Sequence, residues 1–475
     1  MRFPGFIGPS YNLDSVAIDA QRSVNWYLRR TESGAGKEGE MAALVDRPGY
    51  SELVSVGAGL PQRGSIETTT GAYYTVNGGV LFKISSGWAA TAIGTLSTST
   101  GHVSMSDNGI HLAIVDGTYF YRVTLANDTF ALILDNDQVC FNQVLYLDGY
   151  FVFIGPDKFQ ISSLLGTDID ALDFATSEGS PDDIVGAMVL ERSLYIFNES
   201  TTEIFYNSGA ADFPFARMEG AFLELGCAAR FSIEKTKDQL FFVARDKNGA
   251  GLIYKARGAN MEKISTHAIE TKISSYGTIS DAKAYVYQDE GSSFYVLNFA
   301  DSDTTWVYDI TTGAWHERTY TNDGLQERDR GYSHAYAHST HLVGDYETGS
   351  IYKMSREFKS DNGNEIVCMR TCPHLYAENK QVKYKSFELD MESGTGLDGS
   401  GQGTDPKAML TFSNDGGFTF GNEHWADIGK IGQKNKRVIW RRLGAARGRV
   451  FKLTISDPVR RVLVGANLEL EMGQS

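Results

Sequence analysis

Cysteine is rare in this chain. Cys140, Cys227, Cys368 and Cys372 are the only four in 475 residues, too few and too scattered for a disulfide framework, so reduced structural thiols are expected. Proline is almost as sparse, at 10 residues. No run of eighteen uncharged apolar residues exists to cross a membrane as a helix. The opening MRFPGFIGPSYNLD lacks the basic, apolar, small-residue order of a signal peptide, so a soluble protein without a cleaved export signal is expected. No GxSxG, HExxH, Walker or GxGxxG pattern falls in a strand-to-helix setting. Catalysis therefore has no anchor, and neither a cofactor nor a metal is expected.

Clustered positive charge is also missing over most of the length. The net charge is −15, which argues against a protein that wraps nucleic acid by neutralising phosphates. The charge is unevenly spread, however. Residues 380–475 carry 15 Lys plus Arg against 11 Asp plus Glu, leaving 29 against 48 for residues 1–379.

What the chain does have is glycine and aromatics, with 50 Gly, 24 Tyr and 26 Phe, a composition for short strands and tight turns. A hairpin pattern recurs seven times: GAYYTVNGGVLFKI from Gly71, GIHLAIVDGTYFYRV from Gly109, GYFVFIGPDKFQIS from Gly149, RSLYIFNESTTEIFYN from Arg192, DQLFFVARDKNGAGLIYKA from Asp238, SSFYVLNFADSDTTWVYDI from Ser292 and THLVGDYETGSIYKMS from Thr340. The starts lie 38 to 54 residues apart, which brackets the four-strand blade of a β-propeller. A further strand-like segment precedes most copies, and Asn77-Gly78, Asp116-Gly117 and Asn248-Gly249 sit where the strands must reverse. Lone meanders cannot hide both faces, whereas radial stacking of blades can. Several β-sandwiches in series would show similar spacing; the propeller is preferred, with six or seven blades.

After Met354 the pattern changes. YKSFELDME, AMLTFSND, RVIWRRLGAAR, GRVFKLTIS and VLVGANLELEM alternate over longer stretches, as half-buried antiparallel strands do, around a Gly- and Ser-rich loop from Met391 to Pro406. The expected fold is therefore all-β: a propeller over 61–355 and a β-sandwich platform over 361–475. The segment 1–60, which contains the alternating SVNWYLRR, is expected to complete the sandwich.

Several local signals have structural readings. Cys368, Cys372 and His374 lack the fourth ligand of a zinc site. His334, His338 and His341 in SHAYAHSTH are expected at the surface, with the first two on one strand face. SNDGGFTF, Ser413–Phe420, resembles the Asp-box hairpin of sialidases, a turn device rather than a catalytic site. A sialidase-like glycosidase would also need carboxylates and arginines meeting at a propeller mouth. A receptor- or glycan-binding propeller is the alternative function, with Tyr119, Tyr121, Tyr206 or Tyr295 as candidate mouth aromatics, although core packing is their commoner fate.

NWYLRR at Asn25–Arg30, DRPGY at Asp46–Tyr50, SPDDIVG at Ser180–Gly186, STTEIFYN at Ser200–Asn207, TWVYDITTGAWHER at Thr305–Arg318 and KRVIWRRLGAARGRVFKL at Lys436–Leu453 together resemble, in collinear order, the packaged-DNA stabilisation family. These are the tail hub or nozzle proteins of short-tailed bacteriophages. The resemblance implies a non-enzymatic virion protein, made in the bacterial cytoplasm. It implies a homohexameric ring below the portal and its adaptor that retains packaged double-stranded DNA and conducts it during ejection without reading its sequence. Contacts with tailspikes or fibres and with a needle or plug are implied too. An acidic majority suits such a conduit, although it would equally keep a large surface soluble.

Lys434, Lys436, Arg437, Arg441, Arg442, Arg447, Arg449 and Lys452 fall within nineteen residues that hold no Asp or Glu. They are the candidate subunit or adaptor interface. Alternation puts Arg437, Ile439 and Arg441 on one strand face and Val438, Trp440 and Arg442 on the other. Solvated surface and direct DNA contact are the competing readings of this segment.

Overall fold

Short alternating segments punctuated by Gly, Asp and Asn give strands almost throughout, and the one α-helix among the described residues is His267–Ser274. The computed structural model describes residues 1–30, 42–177, 179, 182–246, 249–377 and 380–473. Six consecutive antiparallel meanders occupy 62–95, 104–133, 143–176, 184–223, 226–263 and 283–322, and a seventh begins at 331. These are the blades of a seven-bladed propeller. Their innermost strands pack one against the next around a closed ring, and Gly331–Ala337 of blade 7 touches both Lys283–Asp289 of blade 6 and Gln62–Glu67 of blade 1.

The middle strands of the blades read as unbroken apolar runs because both faces are covered. In Tyr150–Ile154 of blade 3, Val152 and Ile154 pack with Ala187 and Ile196 of blade 4. Phe151 and Phe153 point the other way, into Val115 and Phe120 of blade 2. Each such side chain, fully buried, contributes on the order of 1.5–3 kcal/mol. Blades 1 and 2 approach so closely at Gly94 that a Cβ there would lie 2.2 Å from the Phe130 ring. Of the hairpin turns, Gly78 and Gly117 adopt φ of 55° and 90°, as positive-φ hairpin turns require; Asn248 lies outside the described residues.

Blade 7 has only three strands of its own, and its fourth is Gly49–Ser55, paired antiparallel to Ser350–Ser355 with Tyr50 opposite Met354. This corrects the expectation that all of residues 1–60 join the sandwich. The third strand of the last blade offers an open ladder, and Tyr50 stacks on Tyr352 at 5.6 Å between ring centres, so the strand buries its apolar face best by closing the ring. The earlier strands Ala20–Val24, Trp26–Arg30 and Ala42–Asp46 do lie in the sandwich.

One sandwich sheet runs Trp26–Arg30, Ala42–Asp46, Val462–Met472, Val382–Met391 and Val438–Arg441. The other runs Ala20–Val24, Cys368–Thr371, Gly448–Ile455, Lys407–Ser413 and His424–Asp427, and it continues from the outer strand of blade 6 through a bridge between Val24 and Glu317. Phe3 and Phe6 of the opening segment pack into the core between them, against Phe387 and Phe451.

A buried ionic network pins the two parts together. Arg47 has no exposed surface. It donates to Asn25 Oδ1 at 2.9 Å, to the Pro48 and Thr319 carbonyls at 3.0 and 2.9 Å, and to both carboxylate oxygens of Asp361. Asp329 lies 4.0 Å away and accepts from the Tyr50 and Tyr285 hydroxyls. Burial opposes the Arg47 charge, but Asp361 and Asp329 more than offset it and hold the guanidinium above its ordinary pKa.

Candidate assembly interface

The strand Val438–Arg441 lies at one edge of its sheet, paired with Val382–Met391, and its alternation runs as the sequence implies. Arg437 and Arg441 are exposed and Ile439 is half-buried, while Val438 and Trp440 are buried. Arg442 breaks the alternation. Its φ of 61° ends the strand and turns the side chain into solvent rather than into the core.

The eight candidate cations separate into three groups. Arg437 is bidentate to Glu388 at 2.6 and 2.7 Å, and that bond holds the Glu388 carboxyl below its usual range. Lys436 shares Asp427 with Lys407. Exposed pairs of this kind contribute only ~0–1 kcal/mol. Lys434, Arg441, Arg442 and Arg447 are exposed, and among the described residues none of the four makes an ion pair. The last two candidates are corrected. Arg449 is 2% exposed, held between the rings of Tyr384 and Phe412 at 4.2 and 4.1 Å, and it donates to Asn414 Oδ1 and the Leu443 carbonyl. It belongs to the core face of a central strand and cannot present charge to a partner. Lys452 is half-buried over Phe420, 4.3 Å from the ring centre, and burial followed by Arg22 lowers its pKa.

A cleft of about 970 Å³ opens where blade 6 meets the sandwich. It is also rich in cations, but they are paired: Arg29 with Glu290, Arg356 with Asp289 and Glu290, Lys359 with Asp46, and Arg460 with Glu392. The contrast marks the strand ends around Arg441, Arg442 and Arg447 as a place where positive charge is left over. The exposed Tyr376 lies close by, on a strand paired to Gly448 and Arg449.

The propeller axis is closed from within. His102, in the link between blades 1 and 2, meets Phe231 of blade 5, from across the ring, at 4.1 Å between ring centres, and stacks on Tyr332 of blade 7 at 5.5 Å. Lys283 of blade 6 lies 3.4 Å over the Tyr332 ring. Burial, reinforced by Lys283, Arg230 and Arg63, pushes the His102 pKa down to about 3. Side chains from opposed blades that touch leave no room for a DNA duplex, whose major groove alone is about 12 Å wide.

A family model described as bacteriophage P22 Gp10, β-propeller, matches residues 35–359, and one described as bacteriophage P22 Gp10, β-sandwich, matches residues 367–471. The chain belongs to the P22 Gp10 family. The tail hub protein gp10 of Salmonella phage P22 is 23% identical over 301 residues, and that alignment covers 62% of each chain, so it spans less than two thirds of that relative. Solved structures with a similar fold include streptogramin B lyase, at 8% identity and a TM-score of 0.45 over 65% of this chain and 98% of that one. Another is the WD40 domain of Neurospora crassa Pan2, at 9% identity and 0.43 over 65% and 95%. Likeness at that level carries no argument about function.

The remaining candidate residues of this Gp10-family chain have structural places. All four cysteines are free and buried. Cys368 Sγ faces the Asn25 carbonyl, whereas His374 contacts the Val16 carbonyl at 2.8 Å. The histidine expectation is corrected: none of the three is fully exposed. His334 Nε2 lies 2.9 Å from His341 Nδ1 across the hairpin, and burial followed by His341 pushes the His334 pKa down to about 3. His338 sits in the turn at φ 50°. Asp415 of the box-like hairpin accepts from the Thr419 hydroxyl and the backbone N–H groups of Phe418 and Thr419, as a turn device should. Tyr121 and Tyr295 are buried, Tyr119 is half-buried and Tyr206 is exposed. The closed axis escaped sequence reasoning because it needs side chains from the link between blades 1 and 2 and from blades 5, 6 and 7 to meet, and no local signal carries that.

Proposed function

We propose that this chain is a structural subunit of the tail hub of a short-tailed phage. In this reading copies form a ring, six in number, below the portal and its adaptor, retain the packaged double-stranded DNA, conduct it during ejection, and anchor tailspikes or fibres and a needle or plug. The observation that carries it is the collinear match of both the propeller and the sandwich to one phage protein family. The propeller and the platform, about 61–355 and 361–475, act as two building units of that subunit, with the early strands completing the platform. The work is mechanical rather than enzymatic.

The closed axis bears on the path of the DNA. Because His102, Phe231 and Tyr332 fill the centre of each propeller, the conduit has to run between copies. The acidic balance of residues 1–379 then suits a wall that a passing polyanion does not stick to.

The test is a phage deleted for this chain. Heads should fill with DNA and then lose it, and added purified protein should restore retention and infectivity. Particles that keep their DNA and infect without the chain refute the proposal.

A further inference from the structure

The outermost strands of blades 3 and 4 share an unusual irregularity. In blade 3, Gln160 pairs with Phe174 and Ser162 with Ile169, so residues 170–173 loop out opposite a single residue. In blade 4, Glu203 pairs with Phe222 and Phe205 with Arg217, so residues 218–221 loop out in the same way. Bulges commonly protect a free edge, and charge or proline usually helps them. Here they do the opposite. Leu172, in the blade 3 bulge, is 82% exposed, and Phe174 on the same strand and Met218 and Phe222 on the outer strand of blade 4 are exposed as well. Leu132 and Leu134, at the outer edge of blade 2, are exposed too.

The same rim is acidic. Asp170 and Asp173 flank Leu172, and their mutual repulsion adds to burial in raising the Asp173 pKa. Glu219 stands exposed in the blade 4 bulge. The nearby cations are engaged, Lys158 over the Phe174 ring and Arg217 with Glu203. Blade 3 lies across the seven-membered ring from blades 6 and 7, which carry the sandwich.

We propose that the acidic, leucine-bearing rim of blades 3 and 4 is the docking surface for a second copy of this chain, whose exposed Arg441, Arg442, Arg447 and Tyr376 seat against it. The assignment rests on the ring-subunit reading and names the two faces that make the ring. Two facts choose this occupant. The unpaired cations of the sandwich and the unpaired carboxylates of the rim are complementary, and they lie on different parts of the subunit on opposite sides of the propeller axis. A head-to-tail contact between unlike faces generates a ring when its rotation closes. Arg and Tyr against a desolvated apolar centre are the residue types that dominate interface energetics. Complementary fields fix the register.

The experiment uses the full-length protein and heads made in the absence of this chain, with negative-stain imaging and counting of ring-bearing particles. Asp170→Lys with Asp173→Lys reverses the rim, and Arg441→Glu with Arg442→Glu reverses the sandwich face. Each doubly substituted protein should retain the wild-type unfolding transition and lose at least 10-fold in ring-bearing particles. Mixing the two should restore rings, because every contact in an alternating six-membered ring is again between opposite charges. If either protein assembles alone as well as wild type, or if the mixture fails to recover, the docking assignment is overturned. Wild-type protein that forms no ring on heads would instead overturn the tail-hub reading on which it rests.

Discussion

Replacing Arg47 by Met should be among the most damaging single changes outside the blade cores. All five guanidinium N–H groups are used, on Asn25, Pro48, Thr319 and both oxygens of Asp361. Asn25 Oδ1 keeps the Thr319 N–H, but Asp361, 1% exposed, loses its counter-charge. Breaking a buried pair by removing one partner costs about 3–5 kcal/mol, whereas replacing both with apolar groups is often close to neutral. Arg47→Met/Asp361→Leu should therefore recover most of the loss, with a coupling of about 3 kcal/mol in the double-mutant cycle. Equilibrium denaturation followed by tryptophan fluorescence reads this, since Trp26 and Trp315 are buried. Burial already pushes the Asp361 carboxyl up despite Arg47, so in Arg47→Met its folded pKa stands further above the unfolded value. Such a group stabilises below the unfolded pKa, and the contribution is lost as pH rises through the folded one. The deficit of Arg47→Met should accordingly shrink toward pH 4. A single variant within 1 kcal/mol of wild type, or a double variant no more stable than the single, refutes the reasoning.

Three other outcomes follow from the same geometry. His102, held neutral to about pH 3, has a folded pKa below its unfolded one, so stability is lost as pH falls from about 6.5 toward 3. His102→Phe should flatten that slope by no more than about 5 kcal/mol, at about 1.4 kcal/mol per pKa unit, and an unchanged slope in acid denaturation would count against the axial plug. A chain beginning at residue 61 lacks the closing strand of blade 7 and should unfold at lower denaturant and aggregate through the opened edge, as light scattering would report. Arg449→Ala removes a cation stacked on two rings and should lower stability by about 2–4 kcal/mol. Arg441→Ala, at the surface, should stay within about 0.5 kcal/mol of wild type, and equal effects in thermal denaturation would contradict their placement.

Much of the fold was legible because a blade is a local object. Four strands and their turns fit within about forty residues, and the runs around Phe151, Leu194 and Phe241 advertise strands covered on both faces. Ring closure is not local. Gly49–Ser55 pairs with a strand some three hundred residues later, and nothing in GYSELVS distinguishes a blade edge from a sandwich edge. The place of the opening segment is not legible either: Phe3 and Phe6 sit in the sandwich core, and an irregular segment can supply packing without any period to reveal it.

The basic segment shows where alternation works and where charge misleads. Val438 and Trp440 stand opposite Arg437 and Arg441, because one buried face fixes the parity of an edge strand. Arg442 left the pattern because a positive φ ended the strand. Arg449 shares its parity with Phe451, Leu453 and Ile455, all buried, so strand alternation places it on the core face despite its charge. A guanidinium can satisfy such a position where an ammonium would not, because its flat faces stack on Tyr384 and Phe412 while its edge donates to Asn414 and Leu443. On the proposed docking, assembly charge falls to the residues whose backbone leaves the sheet, Arg442 and Arg447, together with the edge-strand Arg441, and it is there that reversal should act on the ring and not on the fold.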